Sequence, residues 1–142
     1  MRPLSDLLPH RPPMSLVDRV VAADGTRVVG EKRVTADDPL LGAEGMGGPL
    51  LIEALAQTAA CLMGLQNEGR GGHRGYLVAA RGWKFPASAL PGETVTLEAE
   101  RVSALGGLHG FTARAHVDGR ELGSGSLSFA VAFDDPPVEG AR

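Results

Sequence analysis

Gly47-Gly48-Pro49-Leu50-Leu51-Ile52-Glu53-Ala54-Leu55-Ala56-Gln57-Thr58-Ala59-Ala60-Cys61-Leu62-Met63-Gly64-Leu65 is the stretch on which the fold turns. Proline suits the first turn of a helix, where its missing N–H has no intrahelical use. From Pro49 onward the residues are apolar on nearly every side, broken by Glu53 and Gln57. A helix without a polar face is a helix packed inside something. No second stretch of the chain reads as a long helix.

Outward from this helix, turn chemistry divides the chain into strands. Asp24-Gly25, Gly106-Gly107 and Asp118-Gly119 each stand between runs rich in Val, Leu, Thr or Phe, and such dipeptides supply the positive φ that tight hairpins need. The expected strands are Met14–Ala22 with Arg27–Thr35, and Thr94–Ala104 with His109–Val117, followed by Glu121–Phe133. In Thr94-Val95-Thr96-Leu97-Glu98-Ala99-Glu100 polar and apolar residues alternate, as in a half-buried antiparallel strand. Tyr76–Phe85 reads as a further strand ended by Pro86, and Pro91-Gly92 as a turn. The expectation is a single α+β domain over residues 1–142, with about six antiparallel strands curled around one buried helix. The tail 134–142, with Pro136-Pro137, is expected to be loose.

Composition limits what such a domain does. A net charge of −3 argues against a nucleic-acid binder that works by neutralising phosphates. Cys61 is the single cysteine, so no intrachain disulfide forms, and its apolar setting reads as core rather than reactive. No basic-then-apolar leader opens the sequence, and Glu53 and Gln57 interrupt its longest apolar run; the chain reads as soluble and cytoplasmic, with no membrane insertion.

Glu53 is the first candidate for chemistry. A carboxylate among Leu50, Leu51, Ile52, Ala54 and Leu55 is expected to be desolvated, which raises a carboxyl pKa toward general acid–base use. The bland alternative is a structural ion pair. Gln57 lies one turn on, on the same face. Gly47 and Gly48 are the second candidate, because glycines before a helix leave bare N–H groups at its positive end, where a thioester or carboxylate oxygen can be polarised. The alternative is a plain flexible entry loop. His10 lies between prolines, His73 in an expected solvent loop, and His109 and His116 on opposite faces of one expected strand. None has metal-ligand spacing, so neither metal nor cofactor is expected.

Beyond these local readings, Leu7-Leu8-Pro9-His10-Arg11-Pro12-Pro13-Met14-Ser15-Leu16-Val17-Asp18-Arg19-Val20 resembles the N-terminal signature of bacterial 3-hydroxyacyl-[acyl-carrier-protein] dehydratases. Leu50 to Gln57 resembles that family's catalytic helix. Lys84-Phe85-Pro86, Leu90-Pro91-Gly92-Glu93-Thr94 and Val117-Asp118-Gly119 follow in the family's order. The resemblance implies a hot-dog fold, in which an antiparallel sheet wraps one long helix. It also implies catalytic roles for Glu53 and Gln57, with a loop histidine acting across a dimer interface. Here the loop Asp38 to Pro49 is shorter and has no histidine, which is similar to a dehydratase-like subgroup from aryl-polyene and related lipid-synthesis clusters.

Three functions follow as expectations. One is a 3-hydroxyacyl thioester dehydratase with Glu53 as general acid, its base drawn from elsewhere, such as His10 or His73. Another is a thioesterase using Glu53 and the Gly47 and Gly48 amides. The third is a noncatalytic partner of an intact dehydratase. The implied substrates are thioesters of acyl carrier protein or coenzyme A. A homodimer, or a heterodimer with a dehydratase homologue, is expected through the edge strand Tyr76 to Phe85. Between Gly69 and Gly92 the chain carries Arg70, Arg74, Arg81 and Lys84 and no acidic residue, which is either a docking patch for an acidic carrier near the mouth of the acyl groove or a plain solubilising loop.

Overall fold

Strand β1 (Arg19–Ala23) and β2 (Arg27–Arg33) come first, then helix α1 (Pro49–Gln66). Strands β3 (His73–Lys84), β4 (Thr94–Leu105), β5 (Leu108–Val117) and β6 (Arg120–Phe133) complete the chain. The structure, a computed structural model, describes residues 15–38, 41, 45–66 and 73–133. The strands form one antiparallel sheet in the order β1-β2-β4-β5-β6-β3. After β2 the chain leaves the sheet, runs through α1 and rejoins at the far edge as β3.

Pairing follows the alternation in the sequence. β2 and β4 run in register from Arg27 opposite Glu100 to Arg33 opposite Thr94. That register puts Val28, Val95, Leu97 and Ala99 on the inner face with Phe111, Ala113 and Ala115 of β5, all buried. Leu51, Ala54, Leu55, Ala59 and Leu62 of α1 close against them and are fully enclosed. Phe111 and Phe129 meet edge to face, with centroids 5.6 Å apart, so two of the few aromatic rings lie at the centre of the core. Trp83 and Phe85 stack at 5.9 Å over Gly125 and Gly123 of β6. This α+β arrangement is the sheet-around-a-helix architecture read from the sequence.

Helix α1 is long and apolar enough to cross a bilayer by length and composition, but 56% of it is buried in the fold. It is enclosed round most of its circumference, with Ala54 to Ala59 buried in succession; Glu53, Ala60 and Gly64 form a narrow, partly covered stripe, and Leu50, Ile52 and Leu65 are also only partly covered.

Two strand starts, those of β1 and β3, differ from the sequence reading by three residues or more, the other boundaries by at most two. β1 begins at Arg19, while Leu16 and Val17 are buried in non-strand chain ahead of it. β3 begins at His73, where a solvent loop was expected. His73 pairs with Phe133 and Arg74 with Ala132, so the long partner strand β6 carries the ladder three residues beyond the expected start at Tyr76. Met14, the far N-terminal signature and the tail 134–142 lie outside the described residues.

Candidate active site

Glu53 stands in the second turn of α1 and is half-buried, on the partly covered stripe. Gln57, one turn on, is 1% exposed. Its Nε2 donates to Glu53 Oε2 at 3.1 Å, and its Oε1 accepts the Leu16 N–H at 2.7 Å. The amide is therefore clamped at both ends, and the main chain ahead of β1 sets the position of the Glu53 carboxyl. The sequence places Glu53 and Gln57 together by helical spacing; nothing local in it points to Leu16.

The start of the helix is fixed from a different direction. Met46 and Ala89 exchange main-chain hydrogen bonds, Met46 N–H to Ala89 O at 2.9 Å and Ala89 N–H to Met46 O at 2.8 Å. Ser88 packs so closely on Gly47 that a Cβ there would overlap its side chain. Gly48 has φ 55°, a left-handed conformation that glycine adopts without strain, and its carbonyl accepts the Leu51 N–H at 3.0 Å. Gly47 and Gly48 thus sit at the positive end of α1, in a loop held by the connector between β3 and β4.

A second polar cluster secures the chain after β2. Lys32 is 8% exposed, and its Nζ lies 3.2 Å from Asp38 and 3.4 Å from Asp18. Asp38 Oδ1 accepts the Leu41 N–H at 3.1 Å, and Asp18 Oδ2 the Arg33 N–H at 2.6 Å. A buried ammonium is tolerated because both carboxylates pair with it.

The other candidates are scattered. His116 lies on the outer face of the sheet, its Nε2 2.6 Å from Glu98 Oε2. Burial alone would raise the Glu98 carboxyl, but hydrogen bonds from His116 and Arg27, with the charges of Arg27 and Arg114, hold it below its ordinary range. His109 pairs in register with Phe129, on the inner face. Cys61 is enclosed, and burial pushes its thiol up to about 12. Arg81 and Lys84 are exposed on β3, in register with Ser126 and Ser124 of β6. Arg74 lies on β3, while Arg70, His10 and most of the loop between Asp38 and Gly45 fall outside the described residues. Among the described residues, no three His, Cys, Asp or Glu side chains gather as metal ligands.

Residues 2–135 match a family described as ApeP-like, ApeP dehydratase. The chain is 34% identical over 134 residues to the 3-hydroxyacyl-[acyl-carrier-protein] dehydratase FabZ of Acetivibrio thermocellus, covering 90% of this chain and 91% of that protein. Among solved structures, a chain of the dehydratase heterocomplex ApeI:P from Xenorhabdus doucetiae superposes with TM-score 0.81 at 21% identity, over 95% of this chain and 93% of that one. A hypothetical thioesterase from Streptococcus pneumoniae, solved with coenzyme A, superposes with TM-score 0.64 at 14% identity, over 83% and 88%. These two likenesses concern the fold, a helix wrapped by a curled antiparallel sheet.

Proposed function

Because the chain belongs to the ApeP-like dehydratase family, we propose that it acts on 3-hydroxyacyl thioesters of an acyl carrier protein as a dehydratase, with Glu53 as the general acid. One observation carries this reading. Glu53 is a half-buried carboxyl on the partly covered stripe of the core helix, and Gln57, itself clamped by the Leu16 N–H, holds it in place. A free surface carboxylate would need no such support.

In the proposed step a base takes the proton from C2 of the acyl chain as the C2–C3 double bond forms. Glu53 gives its proton to the departing C3 hydroxyl, which leaves as water, and the resulting carboxylate is then reprotonated. The Gly47 and Gly48 amides face the thioester oxygen, where negative charge builds during proton removal. Gln57 is the positioning residue for Glu53.

The base belongs to a shared site. The loop before α1 carries no histidine, and loss of a general base costs on the order of 10²–10⁴ in rate. β3 lies at the sheet edge with Tyr76, Leu77 and Val78 exposed; a second copy, bringing its His10 or His73, or a homologous dehydratase, bringing its own base, pairs along it and completes the site. The similarity to a subunit of a dehydratase heterocomplex supports the second form. Arg74, Arg81 and Lys84 on this strand, with Arg70 just ahead of it, supply positive charge for an acidic carrier. The test is intact-mass analysis of 3-hydroxyacyl-carrier-protein after incubation. Loss of one water supports dehydration, release of the carrier thiol supports a thioesterase, and no change, alone or with a homologue, removes catalysis.

A further inference from the structure

The Pro91-Gly92-Glu93 and Asp118-Gly119-Arg120 segments lie far apart in the chain, and the fold joins them. Asp118 (φ 48°) and Gly119 (φ 84°) make the tight turn between β5 and β6, which places Arg120 at the first position of β6. Its guanidinium donates to Glu93 Oε1 at 2.8 Å and to the Ser88 carbonyl at 3.4 Å. The same Glu93 oxygen accepts the Leu90 N–H at 2.8 Å. This main-chain bond, then the Arg120 hydrogen bond and charge, lowers the Glu93 carboxyl below its ordinary range.

Ser88, Ala89 and Leu90 are therefore held from both sides. They are also the residues that meet the glycine loop, through the paired bonds of Ala89 with Met46 and the contact of Ser88 with Gly47. Main-chain bonds of Glu93 and Gly92 to Val34, at 2.9 and 2.7 Å, tie the far end of the connector to the chain leaving β2. We infer that Arg120 and Glu93 are positioning residues that brace the connector Ser88–Leu90 and so hold the Gly47 and Gly48 amides at the start of α1. The catalytic part of this inference rests on the proposed role of those amides; the mechanical part does not.

An exposed ion pair that only decorates the surface contributes little, and the experiment separates the two cases. Arg120→Met keeps the length of the stem and removes the donors, while Arg120→Lys keeps one charge-assisted contact with Glu93. Amide hydrogen exchange at Met46 and Ala89 is measured in the whole protein, with the centre of α1 as internal reference. Exchange at the bridge is expected to quicken about tenfold in Arg120→Met and to recover most of the way in Arg120→Lys, with the helix centre unchanged. In turnover of 3-hydroxyacyl-carrier-protein, kcat is expected to fall about tenfold with KM nearly constant, as misplacement of reacting groups implies. Unchanged bridge exchange in folded Arg120→Met, or equal quickening everywhere, overturns the brace. Should Arg120→Met not fold, Glu93→Met, which removes the oxygen that accepts both the Leu90 N–H and the Arg120 guanidinium, is read the same way. If the wild-type protein dehydrates nothing, the proposed function fails while bridge exchange still decides the brace.

Discussion

Gln57 uses both ends of its amide, one toward Leu16 and one toward Glu53, so its replacement has two separable effects. Gln57→Leu leaves the buried Leu16 N–H without its acceptor, which costs about 1–3 kcal/mol, measurable by urea unfolding. It also removes the Gln57 hydrogen bond from the Glu53 carboxyl, so kcat is expected to fall further than the stability loss explains. On the outer face, Glu98 titrates below its ordinary 4.5 in the folded chain. A depressed carboxyl stabilises the fold above its unfolded pKa, and that stabilisation is lost as pH falls through the folded value. Unfolding free energy is therefore expected to drop below about pH 4.5, and to drop less in Glu98→Gln, which starts about 1 kcal/mol lower at neutral pH. At this scale the sequence shows what spacing along one helix can show. Glu53 and Gln57 are visible at i and i+4, whereas the Leu16 contact spans 41 residues and depends on how the N-terminal chain crosses the helix.

At the scale of elements, dipeptides fixed most turns. Asp24-Gly25, Gly106-Gly107 and Asp118-Gly119 each fall at a hairpin, but the expected positive φ is found at Gly106, Asp118 and Gly119 and not at Asp24 or Gly25, where the Asp24 carboxylate closes the turn by accepting the Thr26 and Arg27 N–H groups. The start of β3 was not legible, because the polar, glycine-rich surroundings of His73 read locally as a solvent loop while the partner strand β6 decides the pairing. The bracing of the helix entry was equally hidden, since the Met46–Ala89 bridge joins two loops. Gly47 tests that entry. A Cβ at Gly47 would overlap the Ser88 hydroxyl and lie 3.1 Å from Ser88 Cβ, so Gly47→Ala must turn the hydroxyl away and press slightly on the connector. Overpacking of this kind costs about 1–3 kcal/mol, and Ser88→Gly in the same chain is expected to restore most of it in thermal unfolding.

Among the described residues, two features bear on a partner, the edge strand β3 with its exposed apolar residues and the partly covered stripe of α1 that carries Glu53. The architecture was readable because one apolar helix among alternating strands admits few packings. The assembly was not, because an edge strand states that something pairs with it and not what does. Sedimentation at micromolar concentration is expected to show a twofold dimer, or a heterodimer when a homologous dehydratase is added; a persistent monomer in both would remove the shared site. The most direct test of the account is dehydration by wild-type and Glu53→Gln protein side by side, each alone and with the homologue, followed as loss of water from 3-hydroxyacyl-carrier-protein. The account expects water loss that depends on Glu53, with the Glu53→Gln protein folded, equally assembled and at least about 10²-fold slower. Equal rates in the two proteins would contradict it and leave the chain a supporting subunit.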